Sequence, residues 1–255
     1  MDVLSAVDEF CSTKGIKYSI ADGTMLGAVR HKGYIPWDDD VDIVMLREDY
    51  NRLIKDFPQT YKERYKVASL ERNKEWDRPY AVVYDDKTIM LEGQMEGGFQ
   101  IGVKVDVFPI DYLPDEINVI KFKRQMHRWI TWYNFSDVKH GSNLLKTTIW
   151  RIIHLSTFFY SKRKIAKRIQ HLLSFTSKKG NLACEMICHQ RSISIYPSSI
   201  FDEYRYFQFE EREYMGVVAA DKYLTSLFGN YMQLPPEEER VPHHSYKVFY
   251  KTIGN

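Results

Sequence analysis

The chain has 255 residues, with 36 Lys+Arg against 34 Asp+Glu, 44% hydrophobic and 15% aromatic residues, 13 Gly and 9 Pro. This composition excludes a disordered chain, a collagen repeat and a disulfide mini-scaffold, and it supplies ample apolar material for a core. Cys11, Cys184 and Cys188 are an odd number at spacings unlike a disulfide framework, so free thiols in a reducing compartment are expected. The first residues lack both the basic start and the long apolar stretch of a secretory signal, which predicts a cytoplasmic location. The apolar stretch Thr147 to Tyr160 is interrupted by Arg151 and His154 and falls short of the roughly 20 residues a membrane helix needs. No membrane span is expected.

Val3, Leu4, Val7, Phe10 and Cys11 recur at helical spacing and predict an amphipathic helix over 3–14 that ends near Gly15. A strand over Ile16 to Ile20 should follow, broken by Ala21-Asp22-Gly23-Thr24, with a short helix or turn over Met25 to Arg30. His31, Lys32 and Gly33 form a loop, and Pro36 disfavours helix at Ile35. Asp38-Asp39-Asp40-Val41-Asp42 then runs into Ile43-Val44-Met45-Leu46, a strand whose first half is acidic. Glu48 to Phe57 reads as helix; Lys66 to Ser69, Tyr80 to Tyr84 and Thr88 to Leu91 read as a strand-rich meander. Gly93, Gly97, Gly98 and Gly102 punctuate a loop before Val103 to Phe108, which alternates with period two and stops at Pro109.

The charge then changes. Ile117 to Lys179 holds 14 Lys+Arg and one acid, Asp137, leaving 22 basic and 33 acidic residues elsewhere, so this helical segment carries +13 and the remainder −11. That asymmetry divides the chain into a core over 1–116, a basic helical insertion over 117–180 and a C-terminal part over 181–255 that packs back on the core. In the last part Asp221 to Tyr231 reads as a helix with Tyr223, Leu224, Leu227 and Phe228 on one face. Leu234-Pro235-Pro236-Glu237-Glu238-Glu239-Arg240 is a loop opening an acidic turn before His243-His244.

On a strand, residues two apart share a face. Asp40 and Asp42 therefore project together, with Asp38 joining them if the strand starts early, while Val41 and Ile43 enter the core. Carboxylates this dense repel one another, and a divalent cation is the usual reason to tolerate them; oxygen ligands suit Mg²⁺ or Mn²⁺. An EF-hand is disfavoured by Ile43 where glycine is required and Asp49 where a bidentate Glu is usual. A solvated acidic loop is disfavoured by the apolar run that follows directly. Gly23-Thr24 offers close backbone approach to a phosphate and a hydroxyl donor, and Asp106 is a lone carboxylate in an apolar strand. A glycine turn, an Asp-x-Asp pair and a third aspartate on a neighbouring strand make up a metal-dependent phosphoryl-transfer site.

The continuous stretch Asp22-Gly23-Thr24-Met25-Leu26-Gly27-Ala28-Val29-Arg30-His31-Lys32-Gly33-Tyr34-Ile35-Pro36-Trp37-Asp38-Asp39-Asp40-Val41-Asp42-Ile43 resembles the signature of the LicD family, bacterial phosphotransferases that decorate cell-surface glycans with phosphocholine. Val105-Asp106-Val107-Phe108-Pro109-Ile110-Asp111 and the Leu234 to Arg240 block with His243-His244 resemble the later blocks of the family, in order. The resemblance covers 1–112 and 196–245. It implies an α+β, nucleotidyltransferase-like core, a mixed sheet flanked by helices, shared with fukutin-type transferases. It also implies a CDP-alcohol donor, CDP-choline first, attacked by an acceptor hydroxyl with release of CMP. The acceptor would be a surface or lipid-linked glycan such as teichoic acid, lipopolysaccharide or capsule. By position, Gly23 and Thr24 match the phosphate-approach turn, Asp40 and Asp42 the metal pair, Asp106 the third carboxylate, and Asp38 stands as an extra ligand.

Arg30, His31 and Lys32 lie between the turn and the aspartates, where they would neutralise a pyrophosphate. Tyr34 and Trp37 flank the same loop, and aromatic faces hold quaternary ammonium groups. Asp85-Asp86-Lys87 reads as a hairpin turn, and Cys184, Cys188 and His189, placed on a helix, read as buried thiols rather than a zinc site. The basic segment interleaves its cations with Trp129, Trp132, Tyr133 and further aromatics, the composition of an interfacial surface that would meet anionic lipid on the inner face of the plasma membrane, with a solvated helical face as the alternative. Nucleic acid is not the expected partner. A glycosyltransferase whose Asp-x-Asp holds a nucleotide sugar, and a metal-stabilised adaptor without turnover, are the competing readings.

Overall fold

The computed structural model describes residues 1–61, 63–92, 99–135, 161–174, 178–186, 193–242 and 246–251. Helix α1 (Asp2–Lys14) buries Val3, Leu4, Val7, Phe10 and Cys11, and Gly15 ends it in the left-handed conformation at φ 60°. The strand that follows, β1, is only Ser19–Ile20. It is shorter than the apolar run because the Ile16 N–H donates to Cys11 O and the Lys17 N–H to Asp49 Oδ2, which commits those groups elsewhere. Helix α2 spans Asp22–Arg30 and so begins three residues before the expected Met25.

Strand β2 (Asp42–Leu46) leads directly into α3 (Arg47–Thr60). Next come β3 (Tyr65–Ala68), β4 (Ala81–Asp85), β5 (Thr88–Glu92) and β6 (Lys104–Leu113). The central sheet runs β1-β2-β6-β4-β3, with β2 parallel to β6 and the other neighbours antiparallel. α1 and α3 cover it together, their Phe10 and Phe57 rings 5.2 Å apart. This is the mixed sheet flanked by helices, of α+β class, that the resemblance implied. β5 leaves the expected meander and pairs instead with β11 (Tyr246–Tyr250).

β6 does not stop at Pro109. Its first half pairs with β4 and its second half, Ile110 to Leu113, with β7 (Leu182–Met186), which pairs in turn with β8 (Ile193–Pro197). The Asp106 N–H points to β2, donating to Val41 O. Successive amides alternate sides, so position 109 faces the gap between β4 and β7, where no ladder bond is required of it.

The basic segment supplies α4 (Val119–Phe135) and α5 (Lys162–Leu173). They pack on each other through Phe122, Met126, Ile130 and Tyr133 on one helix and Ile165, Ala166, Ile169 and Leu173 on the other, all buried. Arg163 does not face solvent: its guanidinium donates to the carbonyls of Leu70, Asn73 and Trp76 and ties α5 to the loop before β4. Lys121, Lys123, Arg124, Arg128, Lys164, Lys167 and Arg168 remain exposed. The hairpin β9 (Tyr204–Phe209) and β10 (Arg212–Val217) lies against β1 and α2, followed by α6 (Ala220–Phe228). α6 ends at Gly229, before the expected Tyr231. No helix among the described residues is long and apolar enough to cross a membrane.

Candidate active site

The parallel register of β2 and β6 sets Asp42 opposite Asp106 at the start of both strands. Thr24 on α2 holds the first of them, its Oγ1 accepting from the Asp42 N–H at 2.9 Å. Asp38, Asp39 and Asp40 lie in the loop ahead of β2 rather than on it, so shared strand facing is not what gathers Asp40 and Asp42. Even so, Asp40, Asp42 and Asp106 each offer a carboxylate oxygen within 4.8 Å of the others, as do Asp38, Asp39 and Asp40. Gly23 explains how the loop comes so near: a Cβ there would collide with the Asp38 carboxylate. Asp22, beside it, adopts φ 44°, a left-handed conformation uncommon for a non-glycine residue.

Asp22, Gly23, Asp38, Asp40 and Asp42 line a cavity of about 830 Å³. The rest of its lining includes Leu26, Ile35, Trp37 and Phe108, and Phe228, Tyr231 and Pro235 from the C-terminal part. Arg30 also lines the cavity, and its guanidinium donates to Tyr231 O at 2.7 Å, joining α2 to the C-terminal wall. The Arg240 guanidinium lies over the Trp37 ring, 5.7 Å from its centroid, so a cation already sits on that face.

Burial drives the acidity of the cluster. Desolvation, and next the Asp40 charge, push Asp22 up to about 7 and Asp38 likewise to about 7. Asp42 is raised well above the ordinary carboxylate range, by desolvation first and then by Asp40, Asp22 and Asp106. Lys104 opposes this. Its Nζ lies 2.5 Å from Asp106 Oδ2, both side chains about 5% exposed or less. Asp106 Oδ1 is buried with no hydrogen-bond partner, an orphaned acceptor within reach of two further carboxylates, which suits a hard divalent cation. Behind Asp22, the Tyr223 hydroxyl accepts from the Asp22 N–H at 3.4 Å and donates to Glu185 Oε2 at 3.2 Å, and the Tyr196 hydroxyl donates to the same oxygen at 2.9 Å. Glu185 is fully buried, and desolvation followed by the Asp22 charge raises it well above its usual range.

Residues 15–137 match the family described as LicD/FKTN/FKRP, nucleotidyltransferase domain. The lipopolysaccharide cholinephosphotransferase LicD of Haemophilus influenzae is 30% identical over 258 residues, which covers 98% of this chain and 94% of that protein. The chain belongs to the LicD family. Two shorter likenesses are to uncharacterized proteins of Rickettsia. RP689 of Rickettsia prowazekii is 47% identical over 60 residues, covering 24% of this chain and 23% of that protein. RT0683 of Rickettsia typhi is 44% identical over 59 residues, covering 23% and 19%.

In this LicD-family chain the structure brings together Gly23, Arg30, Trp37, Asp38, Asp40, Asp42 and Asp106. Thr24 is buried and turned to the Asp42 backbone instead of the cavity. His31 and Lys32 do not line the cavity: His31 packs edge-on to Trp37, and exposed Lys32 turns its Nζ to Val29 O. Tyr34 packs on Phe209. Asp85 is bound by Arg64 and by the Lys87 N–H in a turn and does not line the cavity. Cys184 is a buried free thiol on a strand and not on a helix. Cys188, His189, His243 and His244, the glycines 93, 97 and 98, and Thr147 to Tyr160 lie outside the described residues. Sequence reasoning passed over Asp22, Lys104, Glu185 and Tyr223. Lys104 was open to it, since it stands two residues before Asp106 and shares its face on β6. Glu185 and Tyr223 carry no local signal, because only tertiary packing brings them to Asp22.

Proposed function

We propose that the protein transfers phosphocholine from CDP-choline to a cell-surface glycan, lipopolysaccharide or a similar polymer, and releases CMP. The observation that carries this reading is the convergence of Asp40, Asp42 and the unpartnered Asp106 Oδ1, the first two lining a cavity that they share with Trp37, Phe108, Phe228 and Tyr231. It is supported by the near full-length likeness to a protein named for cholinephosphate transfer to lipopolysaccharide.

Asp40, Asp42 and Asp106 would hold Mg²⁺ or Mn²⁺, and Asp38 flanks them. The ion, when bound, withdraws charge from phosphoryl oxygens and favours displacement at phosphorus. The acceptor oxygen would bond to the phosphorus bearing the choline as its proton passes to the Asp22 carboxylate, the bond from that phosphorus to the bridging oxygen would break, and CMP would leave with that oxygen. Arg30 presents positive charge to the departing phosphate, and Asp22 offers a carboxylate oxygen that accepts the hydrogen bond of an acceptor hydroxyl. Trp37 lines the cavity, and the choline ammonium would take the face of its ring that Arg240 leaves open. Glycans built on lipid carriers are presented at a membrane, and the exposed cations of α4 and α5 fit peripheral contact with anionic lipid there.

The test is incubation with Mg²⁺, a glycan acceptor and, in turn, CDP-choline, CDP-glycerol, CDP-ribitol and UDP- or GDP-sugars. CMP appears with CDP-choline and depends on acceptor and metal. Release of UDP or GDP from the sugar donors, with no CMP from any CDP-alcohol, would make the protein a glycosyltransferase.

A further inference from the structure

The charged side chains that line the cavity are Asp22, Arg30, Asp38, Asp40 and Asp42, all from the N-terminal part. Its C-terminal lining comes from the stretch Phe228 to Pro236, which contains no acid and no base. Of the charges that flank this stretch, Asp221 accepts from the Tyr231 hydroxyl at 2.8 Å and the Arg240 guanidinium lies over Trp37; neither lines the cavity. The stretch offers an aromatic ring, Phe228, 42% exposed, and two amides, Asn230 and Gln233. The amides are joined, Asn230 Nδ2 donating to Gln233 Oε1 at 3.3 Å. Whichever way the pair is turned, one amide oxygen remains to accept and one amide nitrogen to donate. Such a wall suits an uncharged planar ligand with a donor beside an acceptor on its edge.

Asp22 and Arg30 stand at opposite ends of α2, about 12 Å apart along the axis at roughly 1.5 Å per residue. α6 passes Asp22, where the Tyr223 hydroxyl meets the Asp22 N–H, and the chain beyond it arrives at Arg30, whose guanidinium donates to Tyr231 O at 2.7 Å. The attacking and leaving oxygens lie roughly in line through phosphorus. With the acceptor hydroxyl at Asp22, the leaving phosphate and the nucleoside it carries therefore lie toward Arg30. The phosphates and choline of the donor are charged, and its nucleoside is not. We propose that Phe228, Asn230 and Gln233 form the nucleoside subsite of the donor. The ring stacks on the pyrimidine, and the amide pair meets its hydrogen-bonding edge, where an amino donor adjoins a ring-nitrogen acceptor. This rests on the CDP-linked donor proposed above. An acceptor sugar, also uncharged, is the rival occupant, and the position at the Arg30 end disfavours it.

Titration calorimetry of the full-length protein with CMP in Mg²⁺, together with KM values for CDP-choline and for the glycan acceptor, tests this. Phe228→Ala should weaken CMP binding by about tenfold, and Phe228→Tyr, which keeps a ring, should bind as the wild type does. Asn230→Ala combined with Gln233→Ala should again cost about tenfold. KM for CDP-choline should rise in step while KM for the acceptor holds. All three side chains are exposed, so the variants should melt with the wild type. Unchanged CMP affinity in Phe228→Ala and in the amide double variant would overturn the subsite. A raised acceptor KM at unchanged CMP affinity would give this wall to the acceptor sugar instead. A wild type that binds none of CMP, CDP and CDP-choline would sink the donor reading itself, and this inference with it.

Discussion

Asp42 is the residue whose environment constrains it most. Its backbone N–H is satisfied by Thr24, and its carboxyl is surrounded by Asp40, Asp22 and Asp106 with only Lys104 opposed. Asp42→Asn keeps the backbone bond and the shape of the side chain while removing a charge that the fold resists. CMP release should fall by about 100-fold or more, since a metal-holding carboxylate is lost. The melting temperature of the metal-free protein should hold or rise, since like-charge repulsion is relieved. A clear fall in that temperature would show that the aspartate has a structural partner. Tyr223 invites the opposite expectation. Its hydroxyl accepts from Asp22 and donates to Glu185, so Tyr223→Phe leaves buried polar groups unpaired, which should cost about 1–3 kcal/mol in urea unfolding. Activity should fall with it, because the left-handed turn at Asp22 loses its anchor.

At the scale of elements, α4 and α5 separate their cations by task. Arg163 binds three main-chain carbonyls of the loop before β4, so it belongs to the fold. Arg163→Ala should lower the unfolding free energy by about 1–3 kcal/mol, the penalty of stranded acceptors, and should leave vesicle binding of the folded protein unchanged. Lys164, Lys167 and Arg168 are exposed, although Arg168 also lies over the Trp129 ring at 5.8 Å. Changing these three to Glu should release the protein from vesicles containing anionic lipid, and salt should release the wild type, because the attraction is screened over about 8 Å at physiological ionic strength. Co-sedimentation measures both. Equal binding of wild type and the triple variant would reduce this face to a solvated one. Transfer to a small soluble acceptor should survive the reversal, since none of the three lines the cavity.

For the whole molecule, the buried acids set how stability depends on pH. Asp22 and Asp38 are pushed to about 7 in the folded state from an ordinary 3.8, chiefly by desolvation, and Asp42 and Glu185 are raised as well. Between pH 4 and 7 the folded protein therefore holds protons that the unfolded chain has released. Stability must fall as pH rises through that window and level off above it. The metal-free melting temperature should accordingly be higher at pH 5 than at pH 8. Saturating Mg²⁺ or Mn²⁺ should raise it most at pH 8, where the carboxylates are ionised and free to bind, and so flatten the profile. A thermal-shift series at four pH values, with and without metal, decides this; a profile that rises with pH would contradict the burial of the cluster.

The order of the elements from α1 to β6, the acidic run and the lone Asp106 were legible in the chain itself, whereas the strands β7 to β11 were not. They rest on short-range rules: apolar spacing decides helix or strand, and an aspartate inside an alternating apolar strand is conspicuous wherever it lands. The same local rules misjudged Pro109, because whether a missing N–H matters depends on which strands flank β6, and β4 and β7 leave a gap there. They placed Cys184 on a helix because a run of so few residues does not distinguish the two periods. They assigned Thr24 to the phosphate for its hydroxyl beside Gly23, and His31 and Lys32 for their place between that turn and the aspartates. Only the folded chain shows that Thr24 supports Asp42 and that Arg30, not its two neighbours, reaches the cavity. Asp22 meets Tyr223 from 201 positions away in the chain, and the residues of 228–236 that share the cavity with the aspartates come from a similar distance. Composition and periodicity act over a few residues and determined the elements. The register of β2 on β6 and the packing of α6 on α2 act across the whole chain, and these decided which side chains meet.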